Sequence, residues 1–336
     1  MENKKIIKVV FFQRKPLNTN FSLEYFFQCL RKKLEPPFVS ELFINKFFSK
    51  GLVGRLYNVA EAALNQGNIN HITGDIHYIA IFFRRERTIL TILDCVFMIR
   101  PPGILRNILK LFWLTIPIRS ARYVTAISES TKREIIKYTS CDENLIRVIP
   151  ITISRSFYYF PKEFNSKCPI LLHIGMSPNK NLCRVIEAVA GLKIKMNIIG
   201  ELSSGLIKRL DELNISYTNN WGLSSDAMVE EYRRCDMLVF ASTYEGFGMP
   251  ILEAQATGRP VVTSNLSSMP EVAGHGACFV DPFQIESIRH GITKIISEKS
   301  YRDKLIELGL DNVKRFDEDI IAKMYVNLYQ EVASKS

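Results

Sequence analysis

The chemically capable residues are densest in Tyr244-Glu245-Gly246-Phe247-Gly248-Met249-Pro250-Ile251-Leu252-Glu253. Two carboxylates, Glu245 and Glu253, stand eight positions apart. Gly246 and Gly248 between them allow backbone conformations closed to other residues and let a ligand approach the main chain closely. Pro250 suits a first helical turn, where its missing N–H costs nothing. The stretch follows the apolar run Met237–Phe240, so it reads as a strand-to-helix turn. Free amides at such a helix start bind an anion, most naturally a diphosphate. Carboxylates at different depths of the same turn suit sugar and ribose hydroxyls, which donate hydrogen bonds.

Repeated strand–helix units must position that turn. Ile170–Ile174, Lys195–Ile199, Met237–Phe240 and residues 260–263 are short apolar runs. Helix candidates at 182–190, 205–213, 226–234 and 251–257 separate them. Four buried strands alternating with helices predict a doubly wound parallel sheet. The first half follows the same rule. An apolar run at 6–12 leads through a basic turn to an amphipathic helix at 21–34. Further runs lie at 88–96 and 123–127, and Ser128-Glu129-Ser130-Thr131 opens a helix with cap-forming residues. Residues 156–168 read as a linker. In the tail, Ile320, Ile321, Met324, Tyr325, Leu328 and Tyr329 recur at helical spacing, which predicts one buried face over 317–332.

The chain has 336 residues, 47% of them apolar, which suits two globular domains. The net charge of +10 is unevenly placed: residues 1–160 carry 24 Lys/Arg against 12 Asp/Glu, and the remainder 20 against 22. A basic first half attracts phosphates, anionic headgroups or nucleic acid. Nucleic acid is set aside because no recognition helix, zinc module or aromatic RNA-binding motif accompanies the charge. Residues 102–118 are strongly apolar but interrupted by Arg106 and Lys110, with Arg100, Arg119 and Arg122 flanking. They read as an interfacial helix with snorkelling cations, or as a core helix. No run approaches the roughly 18 apolar residues of a membrane span, and the start reads as a buried strand rather than a signal peptide. Seven cysteines without C-x-x-C spacing argue against a disulfide framework or zinc site and fit a cytoplasmic protein.

The Glu-x7-Glu pattern within YEGFGMPILEA resembles the signature of the retaining glycosyltransferases of family 4, the group 1 glycosyltransferases with the GT-B fold. Gly175, Lys180-Asn181-Leu182, Trp221-Gly222-Leu223, Tyr232 with Asp236, Thr257 to Val262, Ser264-Asn265, Met269 to Val272 and Asp281-Pro282 extend the likeness. It is dense over residues 170–285 and thin over the first half. It implies two Rossmann-like doubly wound α/β domains facing across a cleft. An acceptor domain would span 1–160 and a nucleotide-sugar domain 161–316, with helix 317–336 packing back on the first.

The resemblance also implies roles. Glu253 would hold the donor's ribose hydroxyls, and Glu245 would contact the donor sugar near its reacting carbon. Backbone amides of Phe247, Gly248 and Met249 would hold sugar and phosphate oxygens, with Gly246 also in the donor site. Lys180, beside Gly175, would neutralise the diphosphate, and Gly222 and Leu223 would flank the base. The donor would be a GDP- or UDP-linked hexose, mannose-type favoured. No metal or cofactor is required if Lys180 and the helix amides hold the leaving group. The acceptor would be a lipid-linked, O-antigen, capsule or other lipopolysaccharide glycan at the inner membrane face.

The chain departs from the family in three places. The Arg that often precedes the Lys is absent from Gly175 to Lys180. Leu93 stands where a His-Asp pair is common, leaving Asp94 as a candidate catalytic or acceptor contact. The turn 14–20 lacks the usual Gly-Gly. Arg14 and Asn20 in that turn, with Asp75 in the polar cluster 70–77, are the remaining candidates to face the acceptor, and His77 in the same cluster is a further catalytic candidate beside Glu245 and Asp94. Two rival readings stand beside transfer: a sugar-nucleotide epimerase on the same fold, and a non-catalytic sugar-nucleotide-binding partner subunit.

Overall fold

The computed structural model describes residues 6–16, 22–99 and 103–334. Asn20, Arg100, Pro101 and Pro102 therefore lie outside the described residues. The chain divides into two compact units: Met1–Thr152 with Asp317–Ser336, and Ile153–Phe316.

The first unit holds a parallel six-stranded sheet. Its strands are β1 (Ile7–Gln13), β2 (Phe38–Ile44), β3 (Ile69–Thr73), β4 (Thr88–Ile92), β5 (Tyr123–Ala126) and β6 (Ile146–Val148), in the order β2-β1-β3-β4-β5-β6. Successive side chains of a strand point to opposite faces, and helices cover both. On one face Phe11 and His71 pack against Phe27 of the helix Ser22–Lys32 and against Tyr325 and Tyr329 of the helix Glu318–Ala333. On the other, Val10, Phe12, Ile72 and Leu90 join a core with Val59, Ala62, Leu114, Ile118 and Ile135. The final helix buries Ile321, Tyr325, Leu328 and Tyr329, while Ile320 of the predicted stripe is exposed.

Residues 70–73, expected as a polar cluster, are instead the interior of β3, and every side chain there is buried. Their polar groups are satisfied internally, which makes burial tolerable. Asn70 accepts from the Gly67 amide at 2.8 Å, and Thr73 donates to the Phe12 carbonyl at 3.0 Å. His71 bonds the Tyr329 hydroxyl and Thr91 Oγ1, each at 2.7 Å.

Within residues 103–119 the helix Ile104–Leu109 passes into a π-helical turn, Lys110–Thr115, and ends in Ile116–Arg119. Leu114, Pro117 and Ile118 are buried, but Ile104, Leu105, Ile108, Leu111 and Phe112 are exposed. Among the described residues no helix is long and apolar enough to cross a membrane.

The second unit also has six parallel strands rather than the four expected: β7 (Ile170–Ile174), β8 (Lys195–Ile199), β9 (Ser216–Asn220), β10 (Met237–Phe240), β11 (Val261–Ser264) and β12 (Cys278–Val280). Their order is β12-β11-β10-β7-β8-β9. The helices Leu182–Val189 and Ile285–Ser297 close a core over Leu171, Met196, Ile198 and Val239. The helices Ser225–Arg234 and Met249–Ala256 flank the other face, where Asn197 donates to Glu231 at 2.6 Å.

The boundary between the units falls before residue 153, not at 160. Aromatic and ionic contacts fix the predicted linker to the second unit. Phe157 meets Tyr232 edge-on at 5.4 Å, Arg233 stacks on Tyr158 and Phe160, and Lys162 pairs with Asp236. Asp236 also accepts from the amides of Asn165 and Ile170, so it ties this segment to the start of β7.

Candidate active site

In an open doubly wound sheet, ligands bind beyond the carboxyl ends of the strands where the strand order reverses. In the second unit that point lies between β7 and β10: β8 and β9 follow on one side, β11 and β12 on the other. The turn after β7 carries Gly175 and Lys180, and the turn after β10 carries residues 241–248, so both face that position.

The two turns are hydrogen-bonded together. Thr243 donates its amide to the Asn179 carbonyl at 2.8 Å, and Asn179 Nδ2 donates to the Tyr244 carbonyl at 2.9 Å. Asn181 Nδ2 reaches the carbonyls of Ala241 and Pro282 at 2.9 and 2.7 Å. From the turn after β11, Ser267 donates to the Glu245 carbonyl at 2.6 Å, and buried Ser268 reaches the Phe247 carbonyl at 2.7 Å. Phe247 itself is buried, edge-on to Phe316 at 5.8 Å, which anchors the glycine turn.

Lys180 Nζ pairs with Glu245 Oε1 at 2.7 Å and lies over the Phe240 ring at 4.7 Å. Gly175 makes room for that lysine. Its φ is +94°, and a Cβ there would lie 3.0 Å from the Lys180 Cγ and Cε. Gly248, at φ +109°, is the N-cap of the helix Met249–Ala256, with Pro250 in its first turn. The amides at this helix start form a positive terminus beside the Lys180–Glu245 pair.

Glu253 sits in the second turn of that helix. Its Oε2 accepts from the Tyr232 hydroxyl at 2.6 Å. Burial pushes its carboxyl up to about 7, against opposing pulls from the Tyr232 hydrogen bond and the Lys180 charge. Gly222, at φ +65°, and Leu223 follow β9, three strands from β10 beyond β7 and β8. Among the described residues no three His, Cys, Asp or Glu side chains gather to hold a metal ion.

The first unit has its own switch point, between β1 and β3. Arg14 follows β1 and lies 3.2 Å from Glu24 and 3.8 Å from Asp75, which follows β3. Asp94, after β4, accepts from the Val96 amide at 2.9 Å. His77 is buried, with Nδ1 2.8 Å from the Trp113 carbonyl, and burial lowers its basicity. The sequence therefore brought Lys180, Glu245, Glu253 and the glycine turn into one place. Arg14, Asp75, Asp94 and His77 belong to the other unit, where Arg14 meets Asp75 and the Asp75 charge acts on His77. Asn179, Ser267 and Ser268 escaped the sequence reading. Their signal was position: each sits in a turn immediately beyond a strand of the central sheet.

Two parallel sheets with helices, the site at a strand-order reversal and a glycine turn at a helix start define a GT-B glycosyltransferase fold. Residues 155–310, nearly all of the second unit, match the family model "Glycosyl transferases group 1", in agreement with the resemblance read from the sequence. The chain is 27% identical over 234 residues to O-antigen chain mannosyltransferase B of Escherichia coli, covering 63% of this chain and 61% of that protein. It is 26% identical over 242 residues to O-antigen chain mannosyltransferase RfbU of Salmonella typhimurium, covering 70% and 65%. The match thus spans somewhat less than two thirds of each relative's length. Among solved structures, Anabaena HepE in complex with UDP and glucose superimposes with a TM-score of 0.79 at 17% identity, over 97% of this chain and all of that one.

Proposed function

We propose that this chain transfers a hexose, mannose-type favoured, from a GDP- or UDP-linked donor to a lipid-linked or lipopolysaccharide-type glycan, with retention of anomeric configuration and without a metal. The observation that carries the reading is the Lys180–Glu245 pair beside the start of the helix Met249–Ala256, at the switch point of the second sheet. Lys180 and the helix amides supply positive charge where a nucleoside diphosphate leaves. Glu253 Oε1 remains for a ribose hydroxyl. Glu245 faces the transferred sugar and is not assigned as a nucleophile. The two relatives named as O-antigen mannosyltransferases support the hexose and the class of acceptor.

The reading extends to the inner face of the cytoplasmic membrane. Phe47, Phe48, Leu52, Val53 and Leu56 are exposed on the first unit, as are Ile104, Leu105, Ile108, Leu111 and Phe112. Arg55 joins the two groups by stacking on Trp113 at 4.8 Å, and Lys15 and Lys46 lie against Phe48 and Phe47. An apolar ridge rimmed by cations suits an anionic bilayer surface.

Thermal-shift screening against nucleotide sugars tests the donor half. One of them is expected to raise the melting point, because a ligand bound only to the folded state stabilises it. Glu245→Ala should then abolish transfer to acceptor. Isomerised donor formed in the absence of acceptor would instead support the epimerase. Co-sedimentation with phosphatidylglycerol vesicles tests the membrane half. Binding should weaken in Leu52→Asp/Val53→Asp, and no pelleting of the unaltered protein would end that part of the reading.

A further inference from the structure

Tyr232 is fully buried on the helix Ser225–Arg234, and its hydroxyl ends against the helix Met249–Ala256. That hydroxyl lies 2.6 Å from Glu253 Oε2 and 3.4 Å from the Pro250 carbonyl, so its single proton is best placed on the carboxylate. Among the hydrogen bonds of the described residues no other reaches the Glu253 carboxylate. Its second oxygen, Oε1, is left for a ligand.

We propose that Tyr232 is a positioning residue for the donor: by donating to Glu253 Oε2 it fixes the carboxylate and leaves Oε1 as acceptor for the ribose diol. The inference rests on the reading of Glu253 as the ribose contact. A carboxylate can accept from two ribose hydroxyls, whereas a protonated carboxyl spends one oxygen as a donor. Burial pushes Glu253 up to about 7, so its charge is in balance at neutral pH. The titratable groups facing it are Tyr232 and Lys180, the latter from the turn Pro178–Lys180, and both favour the charged form. Lys180 is already paired with Glu245. Burial holds the Tyr232 hydroxyl well above its ordinary range, so it stays a donor throughout the useful pH span.

The test measures binding of GDP and UDP, and of their 2′,3′-dideoxy counterparts, to the full chain from pH 6 to 9. In the unaltered protein the preference for ribose should grow as pH rises through about 7. In Tyr232→Phe that rise should move up by about one pH unit or more, with roughly tenfold lost ribose preference at pH 7 and recovery by pH 9. Binding of the dideoxy nucleotides should be unchanged. Should Tyr232→Phe not fold, 3-fluorotyrosine at position 232, a stronger donor of nearly equal size, should move the rise downwards instead. A ribose preference with the same pH profile in the unaltered and altered proteins would overturn the role of Tyr232. Absence of any ribose preference in the unaltered protein would instead remove Glu253 as the ribose contact, a separable failure.

Discussion

Lys180 and Glu245 neutralise each other across the turn proposed to receive a diphosphate, and both side chains are largely buried. Removing one partner strands the other, which is costlier than removing both. Lys180→Met should therefore lower stability by about 1–3 kcal/mol, and adding Glu245→Gln should cost less than the sum of the single changes. A double-mutant cycle by urea denaturation reads this directly; strict additivity would contradict the pairing. Transfer in Lys180→Met should fall by about 100-fold or more, since positive charge at the leaving group is lost. Gly175→Ala should act through the same lysine. A Cβ at φ +94° is strained and would press on Lys180, so about 1–2 kcal/mol of stability and much of the donor affinity should be lost together.

At the scale of elements, the glycine turn depends on the segment after β11. Ser268 is buried, and its hydroxyl reaches the carbonyls of both Glu245 and Phe247. Ser268→Ala should cost about 1–3 kcal/mol by leaving a buried carbonyl unpaired. It should also lower kcat/KM without any contact to donor; unchanged kinetics would show that the turn is held otherwise. How legible each element was in the sequence followed its surroundings. Strands buried on both faces read as short, mainly apolar runs, unbroken in β10 and interrupted by His173 in β7 and Asn197 in β8. β2 lies at a sheet edge with a mixed pattern and an exposed Val39, and β9 is an edge strand of polar residues, so neither announced itself. β3 was hidden because its partners, Tyr329 and Thr91, lie 258 and 20 residues away in the chain.

Over the whole molecule, buried ionisable groups set how stability responds to pH. Burial pushes His71 down to about 3 and His173 down to about 4. Both stay neutral in the folded protein, while the unfolded chain takes up protons below about 6.5. Their stabilising effect is complete above 6.5 and is lost as pH falls towards 4 and 3. Glu253 works in the opposite sense between 4.5 and about 7, where the folded state retains a proton that the unfolded state has released. His71 and His173, joined by buried His77, outweigh Glu253 and should make stability rise between pH 4 and 6. His71→Leu should flatten that rise by about 1.4 kcal/mol per pH unit, the worth of one proton. Urea unfolding at several pH values measures it, and an unchanged slope would mean that His71 is protonated in the folded state.

By itself the sequence determined two strand–helix repeats, the unequal charge of the halves, the glycine turn with Glu245, Lys180 and Glu253, and the amphipathic last helix. These are local matters of periodicity, residue type and short spacing. Only tertiary structure decided that β7 and β10 are neighbours, which brings Lys180 to Glu245 across 65 residues of chain. It also decided that Tyr232 holds Glu253, that Ser267 and Ser268 brace the turn, and that residues 156–168 join the second unit. Strand order and long-range hydrogen bonds arise from packing whole elements against one another, and no local pattern encodes which element lands beside which.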